Sequence, residues 1–242
     1  MKEHPILFSG SMVRAILEGK KTQTRRVMKI QPTSPPAIRD FEEYQPESFL
    51  DTSLRAIWPS DKKGDDGRHI DHGCKYPYGR VGHRLWVREE HYRFGHWEPV
   101  AGVRTRTGRM KWKFVADTDD LRYDPPSEFR KGRHHLDSGT PAWHKRLARF
   151  MPRWASRIML EIVNVRVERL QDISEQDIRA EGVTMSPLHV GIDSAGNAIE
   201  SENAHLDPWD YFSEMWDKIN GKKHPWKSNP WLWVIKFKRV TA

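Results

Sequence analysis

The order of elements written into this chain predicts a mixed α+β fold, a small twisted β-barrel flanked by helices in a single domain over residues 1–242. Three observations carry that expectation. Segments with strand and helix periodicity follow one another as strand, helix, several strands, helix, helix, strand. In the longest strand signal Ile158, Leu160 and Ile162 share one parity, whereas Val163, Val165 and Val167 share the other. Such a change of face marks a bulge or a bend, as at the corners of small barrels. Two long irregular insertions, at about residues 33–77 and 117–149, interrupt the pattern with paired prolines and polar runs.

Ile6-Leu7-Phe8 reads as a first short strand. Met12, Val13, Ile16 and Leu17 then form one stripe of a helix, with Ser9 or Ser11 as its cap and Gly19 as its stop. A short strand is expected at Val27–Ile30. The first insertion, 33–77, reads as a loop-rich region with a little local structure. From Arg84 to Arg88 the chain alternates, Leu85 and Val87 on one face and Arg84, Trp86 and Arg88 on the other. Residues 93–108 read as a hairpin region and Lys111–Val115 as a strand. The second insertion, 117–149, reads as an irregular basic arm. After the long strand, Ser174 and Asp177 resemble a capping box, Ile173 and Ile178 a hydrophobic staple, and Gly182 a helix stop. Asp207-Pro208 opens a last helix whose stripe of Trp209, Phe212, Trp216 and Ile219 belongs to the core. Alternation from Trp231 to Lys238 closes the chain as a strand.

Composition narrows the function classes. Lys+Arg 41 against Asp+Glu 33 gives a formal net charge of +8, which favours polyanion partners, RNA or DNA ahead of a membrane. A single cysteine, Cys74, excludes an intramolecular disulfide and fits a reducing compartment. No apolar run approaches the roughly 20 residues of a membrane span, and Met1–Pro5 does not open a signal peptide, so a cytoplasmic protein is expected. Eleven tryptophans are many for 242 residues; most belong in a core, and tryptophan beside arginine is also how proteins stack bases. There is no phosphate-binding glycine loop, dinucleotide fingerprint or repeat. His69, Asp71, His72 and Cys74 match no familiar zinc spacing, so neither metal nor other cofactor is expected.

The candidate chemistry lies in Gly19-Lys20-Lys21-Thr22-Gln23-Thr24-Arg25-Arg26, which follows the first helix. One reading is a solvated basic loop. The other is an anion site with a reactive lysine, because cations crowded together disfavour one another's charged forms. The threonine hydroxyls are then nucleophiles or substrate donors. Glu181 stands at the C-terminal end of its helix, where the dipole disfavours a carboxylate; it is either a surface residue or a partner for a lysine and a proton donor. Trp86 with Arg84 and Arg88 forms either a half-exposed strand face or a base-stacking, phosphate-contacting one.

The Gly19–Arg26 run resembles the signature of the ASCH domain, a branch of the PUA-like β-barrel superfamily. Pro5–Phe8, Met12–Leu17, Leu85–Glu89, Met151–Arg157 and Asn229-Pro230-Trp231 resemble the larger ASCH proteins of bacteriophages and prophages. The resemblance implies a PUA-like barrel that binds RNA, DNA or a modified nucleoside in a bacterial host's cytoplasm. One short branch of the family hydrolyses N4-acetylcytidine with a lysine, a threonine and a glutamate. Matched motif to motif, these fall on Lys21, Thr24 and Glu181. Thr22, Arg25, Arg26, Trp86, Arg88 and Arg157 are then the nucleic-acid or substrate contacts. The alternatives within the resemblance are a non-catalytic RNA or DNA reader and a metal-independent ribonuclease. His83 departs from the family, which usually carries an acidic residue at that position, and the short branch lacks both insertions.

Overall fold

The computed structural model describes residues 2–40, 54–58, 72–133, 137–183, 189–192, 198–200 and 207–240. In chain order its elements are β1 (Glu3–Leu7), α1 (Gly10–Leu17), β2 (Gln23–Val27), β3 (Ala37–Asp40), β4 (Leu54–Trp58), β5 (His72–Lys75), β6 (Arg84–Arg88), β7 (His91–Arg104), β8 (Met110–Arg122), β9 (Arg130–Lys131), β10 (Ala142–Arg146), β11 (Met159–Arg169), α2 (Glu175–Ala180), β12 (His189–Ile192), β13 (Ala198–Glu200), α3 (Pro208–Asn220) and β14 (Trp231–Val240). The fold is mixed α+β and mostly strand. The strands lie in open sheets of order β1-β6-β11-β14-β2, β8-β7-β10-β9 and β3-β4-β5, with a two-stranded ribbon β12-β13. Among the described residues no helix is long and apolar enough to cross a membrane.

The chain divides into two compact units. The first comprises Met1–His4, Arg14–Leu85 and Leu160–Ala242; the second comprises Pro5–Val13 and Trp86–Met159. The division runs through β1, α1, β6 and β11.

In the first unit, a cluster of Leu170, Ile173, Ile178, Phe212, Trp216 and Leu232 joins α2, α3 and β14. The Ser174 side chain accepts from Asp177 N and caps α2, and Asp207 Oδ1 accepts from Trp209 N at 2.8 Å to cap α3. Ile173 and Ile178 are both buried, as a staple requires. The indole nitrogens of Trp209 and Trp216 donate to Ile173 O and His224 O, so each ring is packed without an orphaned donor. Ile219, expected in the core stripe, is 57% exposed, because it lies in the last turn of α3 beyond that cluster. Within 33–77 the antiparallel sheet β3-β4-β5 buries Leu54, Ala56, Trp58 and Cys74. His69 and Asp71 lie outside the described residues. His83, the departure from the family pattern, stacks on His4 with ring centroids 5.8 Å apart.

The second unit is built on the long antiparallel pair β7 and β8. β8 continues through Arg122 and β10 pairs with β7 from Ala142 to Arg146, so part of 117–149 is regular sheet rather than an irregular arm. Asp117, Thr118, Asp119 and Asp120 hid that strand, since its half-exposed hairpin needs no apolar alternation. Gly95 of β7 is required by close approach: a Cβ there would stand 2.1 Å from Val115 O of β8.

Candidate functional site

Lys21 is aimed by the end of α1. Gly19 adopts φ +73°, and the backbone nitrogens of Lys20 and Lys21 both donate to Ala15 O, at 2.8 and 3.0 Å. The next residue joins the closing strand and α2, since Thr22 N donates to Ala180 O and Thr22 O accepts from Phe237 N. Lys21 and Glu181 thereby form an antiparallel bridge, although 160 residues separate them in the chain. Glu181 is the C-cap of α2, and Gly182 turns the chain away at φ +79°.

The side chains meet as well. Lys21 Nζ donates to Glu181 Oε2 at 2.7 Å and to Glu181 O at 2.8 Å. The Lys21 side chain is 0% exposed and that of Glu181 5%. Burial holds the Lys21 ammonium below the ordinary lysine pKa against the opposing pull of Glu181, and Arg26 and Arg25 push the same way as burial. Arg25, also buried, reaches three carboxylates: Glu168 Oε2 at 3.1 Å, Asp177 Oδ2 at 3.0 Å and Glu181 Oε1 at 3.2 Å. Arg166 of β11 binds Glu168, Asp177 and Gln23 Oε1. Three cations and three carboxylates thus interlock β2, β11 and α2.

Gly182 is tied to this arrangement. A Cβ added there would stand 2.8 Å from Lys21 Cβ and 2.9 Å from Ala15 Cβ, at a left-handed φ. Gly182→Ala is expected to lower unfolding free energy by roughly 2–4 kcal/mol, the cost of the left-handed backbone plus overpacking, measured by urea denaturation.

Strand alternation separates the remaining candidates. Gln23 and Arg25 project on the face that carries the carboxylates, so Thr24 and Arg26 project on the other. Thr24 is buried opposite Ile235, and Arg26 is half-buried opposite Trp233. Tyr76 packs on Trp233 with centroids 5.1 Å apart. The Tyr76 phenol is held well above its ordinary pKa by burial and by Tyr78, with Arg26 acting in the opposite sense. Its hydroxyl has no hydrogen-bond partner among the described residues.

Trp86, Arg88 and Arg157 belong to the second unit. The alternation expected over 84–88 is present, with Leu85 and Val87 buried and Trp86 and Arg88 half-buried. Two guanidinia lie over the Trp86 ring, that of Arg88 5.3 Å from its centroid and that of Arg153 at 6.0 Å. Arg157 is held by Glu89 in a bidentate pair at 3.0 and 3.0 Å and lies over the Tyr123 ring. Among the described residues no group of three His, Cys, Asp or Glu is arranged to hold a metal ion.

Sequence reasoning missed Asp177, Glu168, Arg166 and Gln23. From the sequence, Asp177 reads only as part of a helix cap. Arg166 and Glu168 carried a faint signal, a cation and an acid two apart on one face of a strand. Compared with protein families, with characterised proteins and with solved structures, the chain matched none.

Proposed function

We propose that the chain is an ASCH-type, PUA-like protein that binds an N-acylated nucleoside or nucleic-acid base and hydrolyses the amide. The observation that supports this reading is the buried Lys21–Glu181 pair, with its 2.7 Å contact and its lysine held below the ordinary pKa. A lysine whose charged form is disfavoured by burial gives up its proton more readily than an exposed one, as a general base must. In this reading the Lys21 ammonium first passes its proton to Glu181 across their 2.7 Å contact. The amine so formed takes the proton of the Thr24 hydroxyl, and Thr24 oxygen bonds to the acyl carbon. The amide C–N bond breaks as Glu181, carrying a proton, donates it to the leaving nitrogen. Water then releases the acid from Thr24.

Incubation with N4-acetylcytidine is expected to yield cytidine and acetate, resolved by chromatography, and Thr24→Ala is expected to abolish turnover. Full activity in Thr24→Ala would remove the threonine from the nucleophile's role. Absence of product with any N-acylated nucleoside would favour the second reading, a reader of RNA or DNA without chemistry. That reading draws on the projection of Thr24 away from the carboxylate face and on the balance of charge around Lys21.

A further inference from the structure

The net charge of +8 is not spread evenly. Residues 5–13 and 86–159, which make up the second unit, contain 16 Lys and Arg against 9 Asp and Glu, a surplus of 7; the rest of the chain is almost neutral. Twelve of those sixteen cations are arginine. A guanidinium differs from an ammonium in being planar, in stacking on rings and in gripping phosphate with two parallel hydrogen bonds.

Arginine and aromatic side chains are interleaved throughout this unit. Arg93 lies over Trp154 at 5.2 Å, Arg146 and Arg149 over Phe150 at 5.1 and 4.9 Å, and Arg122 over Trp143 at 4.5 Å. Two of these rings stay more than half exposed, on a turn that carries arginines of its own. Phe150 is 52% exposed and Trp154 60%, with Arg149 and Arg153 between and beside them in consecutive one-turn 3-10 helices. An Arg88 guanidinium nitrogen donates to Arg149 O, tying that turn to the strand that carries Trp86. A cleft of about 380 Å³, lined by Leu7, Phe8, Glu90, Leu147 and Arg149 among others, opens beside the turn. This volume falls within the range of small-ligand sites.

We infer that the second unit is a binding surface for single-stranded nucleic acid, with Phe150 and Trp154 stacking bases and Arg149 and Arg153 holding phosphates. Phe150 and Trp154, four residues apart and each more than half exposed, hold two aromatic rings in water among arginines, the combination that stacks bases. The surrounding cations select a polyanion, and flat rings select one whose base faces are uncovered. A duplex offers phosphates but no ring faces, and a lipid headgroup offers neither stacking partner nor repeat. The inference does not depend on amide hydrolysis, because none of these residues belongs to the unit that contains Lys21 and Glu181.

Fluorescence anisotropy with labelled oligothymidylate and the matching oligouridylate tests it in the full chain. Binding is expected for both, weakening linearly in log–log salt plots. Phe150→Ala and Trp154→Ala are each expected to weaken it about ten-fold. Arg149→Ala and Arg153→Ala are each expected to lower the salt slope by about one. All four side chains are exposed, so the variants are expected to keep the wild-type urea midpoint. Thr24→Ala, which removes the hydroxyl from the hydrolysis proposed above without breaking the buried ion pair, is expected to leave oligonucleotide affinity unchanged, so failure of one reading is visible separately from failure of the other. The inference is overturned if the ring variants bind as wild type does. It is overturned equally if the chain binds phosphatidylserine vesicles and neither oligonucleotide, or if the patch only pairs two copies of the chain.

Discussion

Lys21→Met and Glu181→Gln are each expected to cost about 3–5 kcal/mol of unfolding free energy, because each leaves a buried charge without its partner. The pair is separated by 2.7 Å and is almost wholly out of water, so solvent does little to soften either loss. Around it the network is balanced, with Lys21, Arg25 and Arg166 against Glu181, Glu168 and Asp177. A single replacement leaves that sum one charge out of balance. Combining Lys21→Met with Glu181→Gln restores it and keeps an oxygen for Arg25, which now bonds Glu181 Oε1 at 3.2 Å. The double variant is therefore expected to recover most of the stability lost by either single one, a coupling of several kcal/mol in a double-mutant cycle read by urea denaturation. Recovered stability with no recovered hydrolysis would separate the pair's part in the fold from the catalytic part proposed for it. Under the proposed mechanism, loss of the general base and acid costs roughly 10²–10⁴-fold in rate whatever the fold does. Two single variants as stable as the parent would show that neither group is charged in the folded protein.

How much of this was legible from the sequence depends on what each residue type signals by itself. The capped helix of Ser174 to Gly182 was readable because a cap, a staple and a glycine stop are local and all three coincide. The strand from Arg84 to Arg88 was readable because its buried face is apolar. β2 was not: its buried positions are Gln23, Thr24 and Arg25, and apolar residues begin only at Val27, where the expected strand Val27–Ile30 lies. A buried polar strand can be recognised only with its partners, and those lie about 140 to 160 residues away in β11 and α2. The union of Lys21 with Glu181 entered as an implication of a resemblance, since no local rule links two such distant positions. Glu181 looked misplaced at a helix C-terminus, and the structure supplies the reason: Lys21 and Arg25 outweigh the unfavourable dipole there. The strands within 117–149 were not legible, because composition marks that stretch as irregular.

Arg25→Met is expected to be the most damaging single replacement in the protein. One guanidinium reaches Glu168 on β11, Asp177 inside α2 and Glu181 at its C-cap, so its removal releases three carboxylates to face one another at the junction of three elements. Arg166 remains for two of them, and Lys21 for the third. The loss is expected to reach at least the 3–5 kcal/mol of a broken buried pair, because the carboxylates left behind also repel. Arg25→Lys isolates the geometric part. An ammonium keeps the charge but is a compact point, unable to hold oxygens on opposite sides of a planar fork as Arg25 does through its two terminal nitrogens. If charge alone mattered, lysine would restore the parent; if the fork matters, lysine restores only part. Intermediate stability for Arg25→Lys, with Arg25→Met well below it in matched urea titrations, is the expected order. Equal stability of all three proteins would mean that this guanidinium does not bind its carboxylates in solution, and the interlock of β2 with α2 would have to rest on the backbone bridge and the apolar cluster alone.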